Sequence, residues 1–148
     1  MVALTIRDVM TPQPHSIHTK ETLEQAQQLM SMYHIRHLPV MSPLNASRVI
    51  GIISDRDLKA VRGIPGVNPA KVLVESVYHR NPYVVEGETP LSDVTSMMSD
   101  RHYGSAIIID RGKLVGIFTT VDACRVLTYL LRKAGSAASA PHSRGTAG

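Results

Sequence analysis

Two short segments of the sequence end an apolar run with a hydroxyl and, three residues later, a carboxylate. GIISDRD carries Ser54 and Asp57, and GIFTTVD carries Thr119 and Asp122. An ionised carboxylate can accept hydrogen bonds from two neighbouring hydroxyls, such as those of a sugar diol. A hydroxyl beside a helix N-terminus lies where the backbone favours an anion. The same spacing is close to that of a capping box, which asks only for helix stability and contributes about 1 kcal/mol.

The two segments belong to an internal repeat, which bears on this choice. Residues 13–41 align with residues 81–109 without a gap, at a shift of 68 residues (82 − 14). Gly51 then aligns with Gly116 at a shift of 65 (116 − 51), because the first copy has three extra residues in its loop SPLNASR. Such polar loops tolerate insertions. Matched positions within a matched repeat favour a nucleotide-binding role, with capping left open as a shared duty.

Each copy is predicted to form a strand, a helix, two further strands and a closing helix. The first strands are HSIH and YVVE, and the closing helices begin near Asp57 and Asp122. The first helix spans about Thr22 to Tyr33, and in the second copy Thr89 suits the N-cap and Pro90 the first helical position. The residues spaced to bury one stripe of each helix are Leu23, Ala26, Met30 and Tyr33, and Leu91, Val94 and Met98.

One such unit would be marginally stable alone, because its small sheet has an exposed face. Two copies packed sheet to sheet bury both faces, so we expect an α+β fold with a pseudo-twofold axis. We assign residues 1–66 to the first repeat and residues 67–133 to the second. Residues 134–148 are small and polar, and we expect them to form a disordered C-terminal tail. The leucine-rich helix before that tail is either a partner-binding surface or an ordinary core helix.

The composition is typical of a soluble, cytoplasmic protein. Of the 148 residues 43% are hydrophobic, and the single cysteine, Cys124, is expected to be a buried structural thiol. No apolar run is long enough to span a membrane, and the first residues do not form a signal peptide. The net charge of +4 allows nucleic acid as a partner. Small anionic ligands fit equally well, because basic residues are scattered and tryptophan is absent.

The order of these motifs resembles a pair of CBS domains, named for cystathionine beta-synthase. The matching segments are VMTPQPHSI, HIRHLPV and GIISDRD, then PYVVEGETPLSDV and GIFTTVD, and they cover roughly residues 4–133. The resemblance implies two pseudo-twofold-related β-α-β-β-α CBS repeats packed through their sheets. It implies two clefts for an adenosine-containing ligand such as AMP, ADP, ATP or S-adenosylmethionine, and it implies a homodimer. It implies no catalytic cofactor, and a regulated protein would be a separate polypeptide.

The resemblance also assigns residues to each cleft. The primary cleft would be formed by Gln13, Pro14, His15, Ile35, Arg36, His37, Thr119 and Asp122. The second cleft would be formed by Ser54, Arg56, Asp57, Asn81, Pro82, Tyr83, Tyr103 and Gly104. The acids would bind ribose, the backbone near Pro14 and His15 would bind the adenine edge, and Ile35 would supply an apolar wall. Arg36 and His37 would face phosphates.

The second cleft departs from this pattern. Gly104 and Ser105 stand where the primary cleft has Arg36 and His37. Phosphate contacts there would come from Arg56 or Arg101, or the ligand would carry less charge or be absent. We therefore expect the primary cleft to be the main site.

Other functional classes find less support in the residues. Seven histidines include His34 and His37, but no cysteine or carboxylate completes a recognisable metal-ligand spacing, so we predict no metal site. Neither a glycine-rich phosphate loop nor a nucleophile-elbow motif occurs, so we do not expect an enzyme. The expected function is adenosine-ligand sensing that acts on a separate protein. The alternative is a nucleic-acid-associated or scaffold protein with vestigial clefts.

Overall fold

The computed structural model of the protein describes residues 3–142, with side chains described to residue 136. A short helix α1 (Ile6–Val9) and strand β1 (Thr11–Pro12) precede the first repeat. That repeat contains β2 (Ile17–His18), α2 (Leu23–Tyr33), β3 (His37–Met41), β4 (Val49–Ser54) and α3 (Asp55–Arg62). The second contains β5 (Val84–Glu86), α4 (Leu91–Arg101), β6 (Ser105–Asp110), β7 (Lys113–Thr119) and α5 (Thr120–His142). The predicted order of strand, helix, strand, strand and helix is confirmed in both copies.

The first helix of each repeat buries one stripe of apolar side chains. In α2 the N-cap is Thr22, whose hydroxyl accepts a hydrogen bond from the Gln25 backbone at 3.2 Å, and the Gln25 side chain closes a capping box. In α4 the N-cap is Pro90, which has no capping side chain, so the prediction of Thr89 as N-cap was wrong by one residue. The predicted burial of Tyr33 was also wrong, because 44% of that residue is exposed. The predicted stripe residues that are buried are Leu23, Ala26, Met30, Leu91, Val94 and Met98.

The strands form two sheets. One has the order β2-β3-β4 and the other has the order β1-β7-β6-β5. In both, the first strand of the repeat pairs in parallel with the next strand, which then forms an antiparallel hairpin with the last. The sheet interiors are fully buried at residues such as Leu38, Ile53, Ile108 and Phe118. The fold is therefore α+β, with two packed repeats of the same design.

The chain that precedes each repeat packs on the other repeat. Thr11 of β1 pairs with Ile117 of β7, and Ile6 of α1 is buried in the core of the second repeat. In the linker, which contains the 3-10 turns Pro69–Lys71 and Val74–Ser76, Val74 is buried in the core of the first repeat. Both cores therefore contain residues from outside their own repeat. The boundary between residues 66 and 67 stays a prediction.

The chain that precedes each repeat and packs on the other repeat is called the exchanged segment. The glycine of each GIISDRD-like motif allows an exchanged segment to approach the strand closely. A Cβ atom at Gly51 would collide with the backbone oxygen of His79 and the ring of Tyr78. A Cβ atom at Gly116 would collide with the side chain of Met10. Both motifs therefore require glycine for a packing reason that their sequence does not reveal.

The C-terminal helix differs from the prediction in two ways. Helix α5 includes residues 134–142, where we expected a disordered tail, and the four alanines of that segment favour a helix. Residues 143–148 of that predicted tail lie outside the described residues. Cys124 is exposed, so its predicted burial was wrong. Ala123 and Val126 pack on the core of the second repeat instead. Among residues 3–142, none of the helices is long and apolar enough to cross a membrane.

Candidate functional site

Asp57 caps the helix that follows the first hydroxyl-and-acid motif. Its Oδ2 atom accepts hydrogen bonds from the backbone N–H of Ser54 at 2.8 Å and from the Ser54 hydroxyl at 3.0 Å. The Ser54 hydroxyl in turn accepts from the Asp57 backbone N–H at 3.3 Å. The other carboxylate oxygen, Oδ1, lies 2.9 Å from Nε2 of His79. The side chain of Asp57 is 13% exposed, so it does not project into bulk solvent.

Asp122 repeats this arrangement in a more enclosed setting. Its Oδ2 atom accepts from the backbone N–H of Thr119 at 2.9 Å and from the Thr119 hydroxyl at 3.2 Å. Its Oδ1 atom accepts from the Thr11 hydroxyl at 3.0 Å, and Nη1 of Arg125 lies 3.4 Å away. The side chain is 9% exposed. The helix-capping interpretation is thus confirmed in full at Ser54 and Asp57, and at Thr119 and Asp122 for the bond from the Thr119 backbone N–H to the carboxylate. The nucleotide-binding role stays a prediction.

Each carboxylate divides its two oxygens between two tasks. Oδ2 holds the helix start, and Oδ1 faces a side chain on the segment exchanged between the repeats. Thr11 and His79, which supply those side chains, are equivalent positions of the repeat (79 − 11 = 68). Sequence reasoning missed both residues, because the alignment began two residues later, at Gln13. Extending it by two positions would have paired them.

The two predicted clefts meet where the second strand of each repeat, β3 or β6, begins. Backbone oxygen atoms there bind the N-terminus of the closing helix: Arg36 accepts from Asp55 N–H at 2.9 Å, and Gly104 accepts from Thr120 N–H at 3.3 Å. A Cβ atom at Gly104 would lie 3.1 Å from Nε2 of His37. Residues assigned to different clefts, His37 and Gly104, are therefore neighbours.

The environment of His37 connects it with the first repeat's acids. Burial lowers the pKa of His37 from its ordinary value of 6.5. Asp55 and Asp57 oppose this change by raising the pKa, and the Arg36 charge lowers it further. Asp57 had been assigned to the second cleft and His37 to the primary cleft. The acids that act on His37 are therefore those at the start of α3.

Aromatic rings line both predicted sites. Tyr83 and Tyr103, both assigned to the second cleft, stack with ring centroids 5.1 Å apart, so the structure brings them together. Burial raises the pKa of Tyr83 above its ordinary value of 10.0, with smaller contributions from Asp93 and Tyr103. His15 of the primary cleft stacks on Tyr33 with centroids 3.6 Å apart. One face of the His15 ring is therefore already covered, by a residue that the sequence placed in the core.

The remaining predicted residues lie close to these groups along the chain. Gln13 has a left-handed backbone (φ 49°), and its N–H donates to the Val115 oxygen at 3.1 Å, beside β7. Ile35 is half-buried against the first core. Arg36 and Arg56 are exposed, and within the described residues neither side chain forms an ion pair. The other members, Pro14, Asn81 and Pro82, lie on the exchanged segments, half-buried or exposed.

Across the part of the chain that the structure describes, histidine, cysteine, aspartate and glutamate side chains do not gather in groups of three or more that could hold a metal ion.

Similar proteins were found by sequence and by structure. Hypoxic response protein 1 of Mycobacterium tuberculosis is 27% identical over 124 residues, which cover 83% of this chain and 85% of that protein. The CBS domain pair of protein MJ0100 was solved with 5-methylthioadenosine and S-adenosyl-L-methionine. It superposes with a TM-score of 0.76 and 21% identity, over 86% of this chain and 98% of that one. CBSX2, solved with AMP, superposes with a TM-score of 0.73 and 24% identity, over 86% and 98% of the two chains.

The family itself is settled by a direct match. The CBS domain model matches residues 6–63 and residues 74–129, which together make up well over half of the chain. Both matched stretches contain one hydroxyl-and-acid motif; the first also contains the whole of α3, and the second contains the first part of α5. The chain therefore belongs to the CBS domain family, with two CBS domains in tandem.

Proposed function

We propose that this protein is a regulatory module that binds an adenosine-containing ligand between its repeats and acts on a separate protein. The observation that carries the proposal is the paired geometry of the two carboxylates. In each, Oδ2 is fixed by the helix start, while Oδ1 faces the exchanged segment, where a ribose diol would have to lie. Similar CBS domain pairs have been solved with AMP and with S-adenosyl-L-methionine, which supports this class of ligand.

In the primary cleft, Asp122 would bind the ribose. Its Oδ1 atom already accepts a hydroxyl hydrogen bond from Thr11, and a carboxylate oxygen has room for more than one such bond. The Thr11 hydroxyl could rotate to the ligand, which adds it to the predicted site. The exposed guanidinium of Arg36 would then bind phosphate, since arginine is always charged and binds phosphate through two donors.

In the second cleft, the chemistry favours a less charged ligand. Asp57 already faces the imidazole of His79, and Gly104 stands where the primary cleft has Arg36. The stacked pair Tyr83 and Tyr103 offers an aromatic surface to a base. A nucleoside-like molecule would use these groups without a phosphate contact, whereas a nucleotide would require Arg56 or Arg101.

A ligand held by both repeats would change how they sit together. Asp122 belongs to the second repeat and Arg36 to the first, so a ligand that contacts both favours one arrangement of the repeats over another. A partner protein that distinguishes those arrangements would respond by the difference in ligand affinity. The homodimer and the regulated partner belong to this proposal.

Calorimetric titration with adenosine, AMP, ATP and S-adenosylmethionine tests the proposal. The informative variant is Arg36→Gly, which copies the residue of the second cleft and leaves the helix caps intact. We expect it to weaken AMP binding at least about tenfold while adenosine binding changes little, because only the phosphate contact is lost. Lys71→Ala serves as the matched loss of an exposed cation. If the folded protein produces no heat with any adenosine compound, the proposal is wrong.

A further inference from the structure

A second groove lies at the hairpin ends of the two sheets, away from the carboxylates. It is bounded by the loop of residues 42–48 in the first repeat and by the turn at Arg111 and Gly112 in the second, and its volume is about 450 Å³. Strand β4 runs from this groove to Ser54, and β7 runs from it to Thr119. At about 3.3 Å per residue, the groove and the capped helix starts are roughly 15 to 20 Å apart. We call it the hairpin groove.

Three cationic side chains converge on the hairpin groove without partners. Arg48, Arg111 and Lys113 line it, and all three are exposed. Within the described residues, none of the three side chains forms an ion pair, a hydrogen bond or a cation–π contact. The nearest acid along the chain, Asp110, pairs with Lys113 only through the backbone register of the hairpin. Like charges gathered in one groove repel each other, and a bound anion would remove that repulsion.

The backbone conformation at Arg111 also indicates an anion-binding role for this groove. Arg111 and Gly112 connect β6 to β7, and both have positive φ, at 52° and 77°. A two-residue hairpin turn of this kind favours asparagine, aspartate or glycine at its first position, and arginine there is disfavoured. Within the described residues the Arg111 side chain forms no hydrogen bond, ion pair or cation–π contact that would compensate. The presence of a charged arginine at this turn is therefore better explained by an interaction with a bound molecule than by one within the fold.

The other lining residues of the hairpin groove restrict the kind of ligand that would fit it. Its floor is aliphatic and is supplied by both repeats, from Val49 and from Val84 and Ile109. The Asn45 Oδ1 atom accepts from the backbone and hydroxyl of Ser47, which leaves the amide nitrogen of Asn45 to donate. The lining contains no aromatic side chain on which a nucleic-acid base could stack. The volume suits one small molecule.

We infer that the hairpin groove is a separate binding site for a small phosphorylated molecule with an aliphatic portion. The three cations and the Asn45 amide would bind the phosphate, and the floor would bind the aliphatic part. The longer loop of the first repeat contributes Asn45 to the site, and Arg48 and Lys113, which are equivalent positions of the two repeats (113 − 48 = 65), both line it. The inference does not depend on ligand binding in the clefts.

The test uses inorganic pyrophosphate as the probe and amide NMR spectra of the full chain as the readout. We expect saturable shifts at the amides of Ser47, Arg48, Gly112 and Lys113. The combined variant Arg48→Ala, Arg111→Gly and Lys113→Ala should weaken binding at least about tenfold, since it removes all three cations. A control variant with the same charge, Arg62→Ala, Lys71→Ala and Arg132→Ala, should retain it.

Single Arg111→Gly keeps the test valid if the combined variant unfolds. It should weaken pyrophosphate binding and also raise the melting temperature, because glycine suits the turn. Equal weakening in the control variant would overturn the inference, because binding would then follow net charge alone. Shifts confined to amides near Arg36 would also overturn it. So would binding of a short single-stranded RNA in the groove without binding of pyrophosphate, because the partner would then be a macromolecule.

Discussion

The two hydroxyl-and-acid motifs share one local structure but differ in what their free oxygen faces. Asp57 and Asp122 both cap the closing helix through Oδ2. At Oδ1, however, Asp57 meets an imidazole that is 67% exposed, whereas Asp122 meets a threonine hydroxyl and is itself nearly buried. The duplicated part of the motif therefore belongs to folding, and under the proposed function the part that differs between the repeats would determine ligand choice.

The same contrast extends to the surroundings of each acid. Around Asp122 the predicted cleft contains the unpaired cation Arg36, and around Asp57 it contains the stacked rings of Tyr83 and Tyr103. Under the proposed function, the cleft around Asp122 would favour an anion, and the cleft around Asp57 would favour a flat, neutral group. The substitutions below test this contrast. Each one alters a residue that the two repeats share or a residue that differs between them.

The largest expected effect comes from the two close-approach glycines. Gly51→Ala should destabilise the protein by about 3 kcal/mol or more, because its new methyl group meets the His79 backbone oxygen, which cannot move without shifting the strand. Gly116→Ala should cost less, about 1 to 2 kcal/mol, because the obstructing atoms belong to the flexible side chain of Met10. Urea unfolding measures both. Equal losses of unfolding free energy would show that the exchanged segments are equally rigid at Gly51 and at Gly116.

Removal of the acids is expected to have the next largest effect. Asp122→Ala should cost about 2 to 3 kcal/mol, because it removes both the helix cap and a nearly buried carboxylate that also accepts from the Thr11 hydroxyl. Asp57→Ala should cost about 1 to 2 kcal/mol, because the exposed His79 can turn to water. Thermal unfolding of both variants gives the order. The variant Thr11→Val, which removes only the hydroxyl, separates the cap from the contact made by Oδ1.

These comparisons also show how far the sequence could predict the structure. The element order, the buried stripes of α2 and α4 and the possibility of capping follow from local spacing, because helix periodicity and caps act over a few residues. The exchange of α1 and the linker does not follow from local spacing, since it depends on pairings such as Thr11 with Ile117 that are far apart in the chain.

Errors about individual residues have the same origin. Tyr33 has the right spacing for the core, yet it is drawn to the ring of His15 at the surface. Cys124 lies in an apolar stretch, but α5 turns Ala123 and Val126 to the core and Cys124 outward. A single sequence predicts the periodicity of a helix more reliably than it predicts which face of that helix is buried by neighbouring elements. It singled out the acids Asp57 and Asp122 but not Thr11 or His79, which contact those acids from the exchanged segments.

A smaller effect is expected in the pH dependence of stability, because the first repeat has His37 where the second has Ser105. Burial lowers the pKa of His37 in the folded state below 6.5, so the unfolded chain takes up the proton first as the pH falls. The contribution of His37 is then fully present above pH 6.5, declines below it, and levels off once the pH is below the folded-state pKa. His37→Ser, which copies Ser105 of the second repeat, should reduce this decline.

Urea unfolding of the wild type and of His37→Ser, at about pH 7.5 and about pH 5.5, measures that difference. The other histidines are common to both proteins, so the change in stability between the two pH values isolates His37. If the variant loses as much stability as the wild type on acidification, burial does not hold His37 in its neutral form.

The smallest expected effect concerns two ion pairs whose charges are exchanged between the repeats. Arg7 pairs with Glu88 at 3.1 Å, and Lys20 pairs with Glu75 at 2.9 Å. Arg7 is equivalent to Glu75 (75 − 7 = 68), and Lys20 is equivalent to Glu88 (88 − 20 = 68). If α1 packed on its own repeat, Arg7 would face Lys20, and the linker's Glu75 would face Glu88. The charges therefore favour the exchanged arrangement over the unexchanged one.

Each of these pairs is exposed, so the variant Arg7→Ala should cost only about 0.2 to 1 kcal/mol. The double variant Arg7→Glu and Glu75→Arg should cost more, because it places like charges at both contacts and favours the wrong docking of α1. The single variant Lys71→Glu is the control for a charge reversal outside the pairs. Urea unfolding at low and high salt checks the result. A loss in the double variant that salt leaves unchanged would show that packing, rather than charge, directs each segment to its repeat.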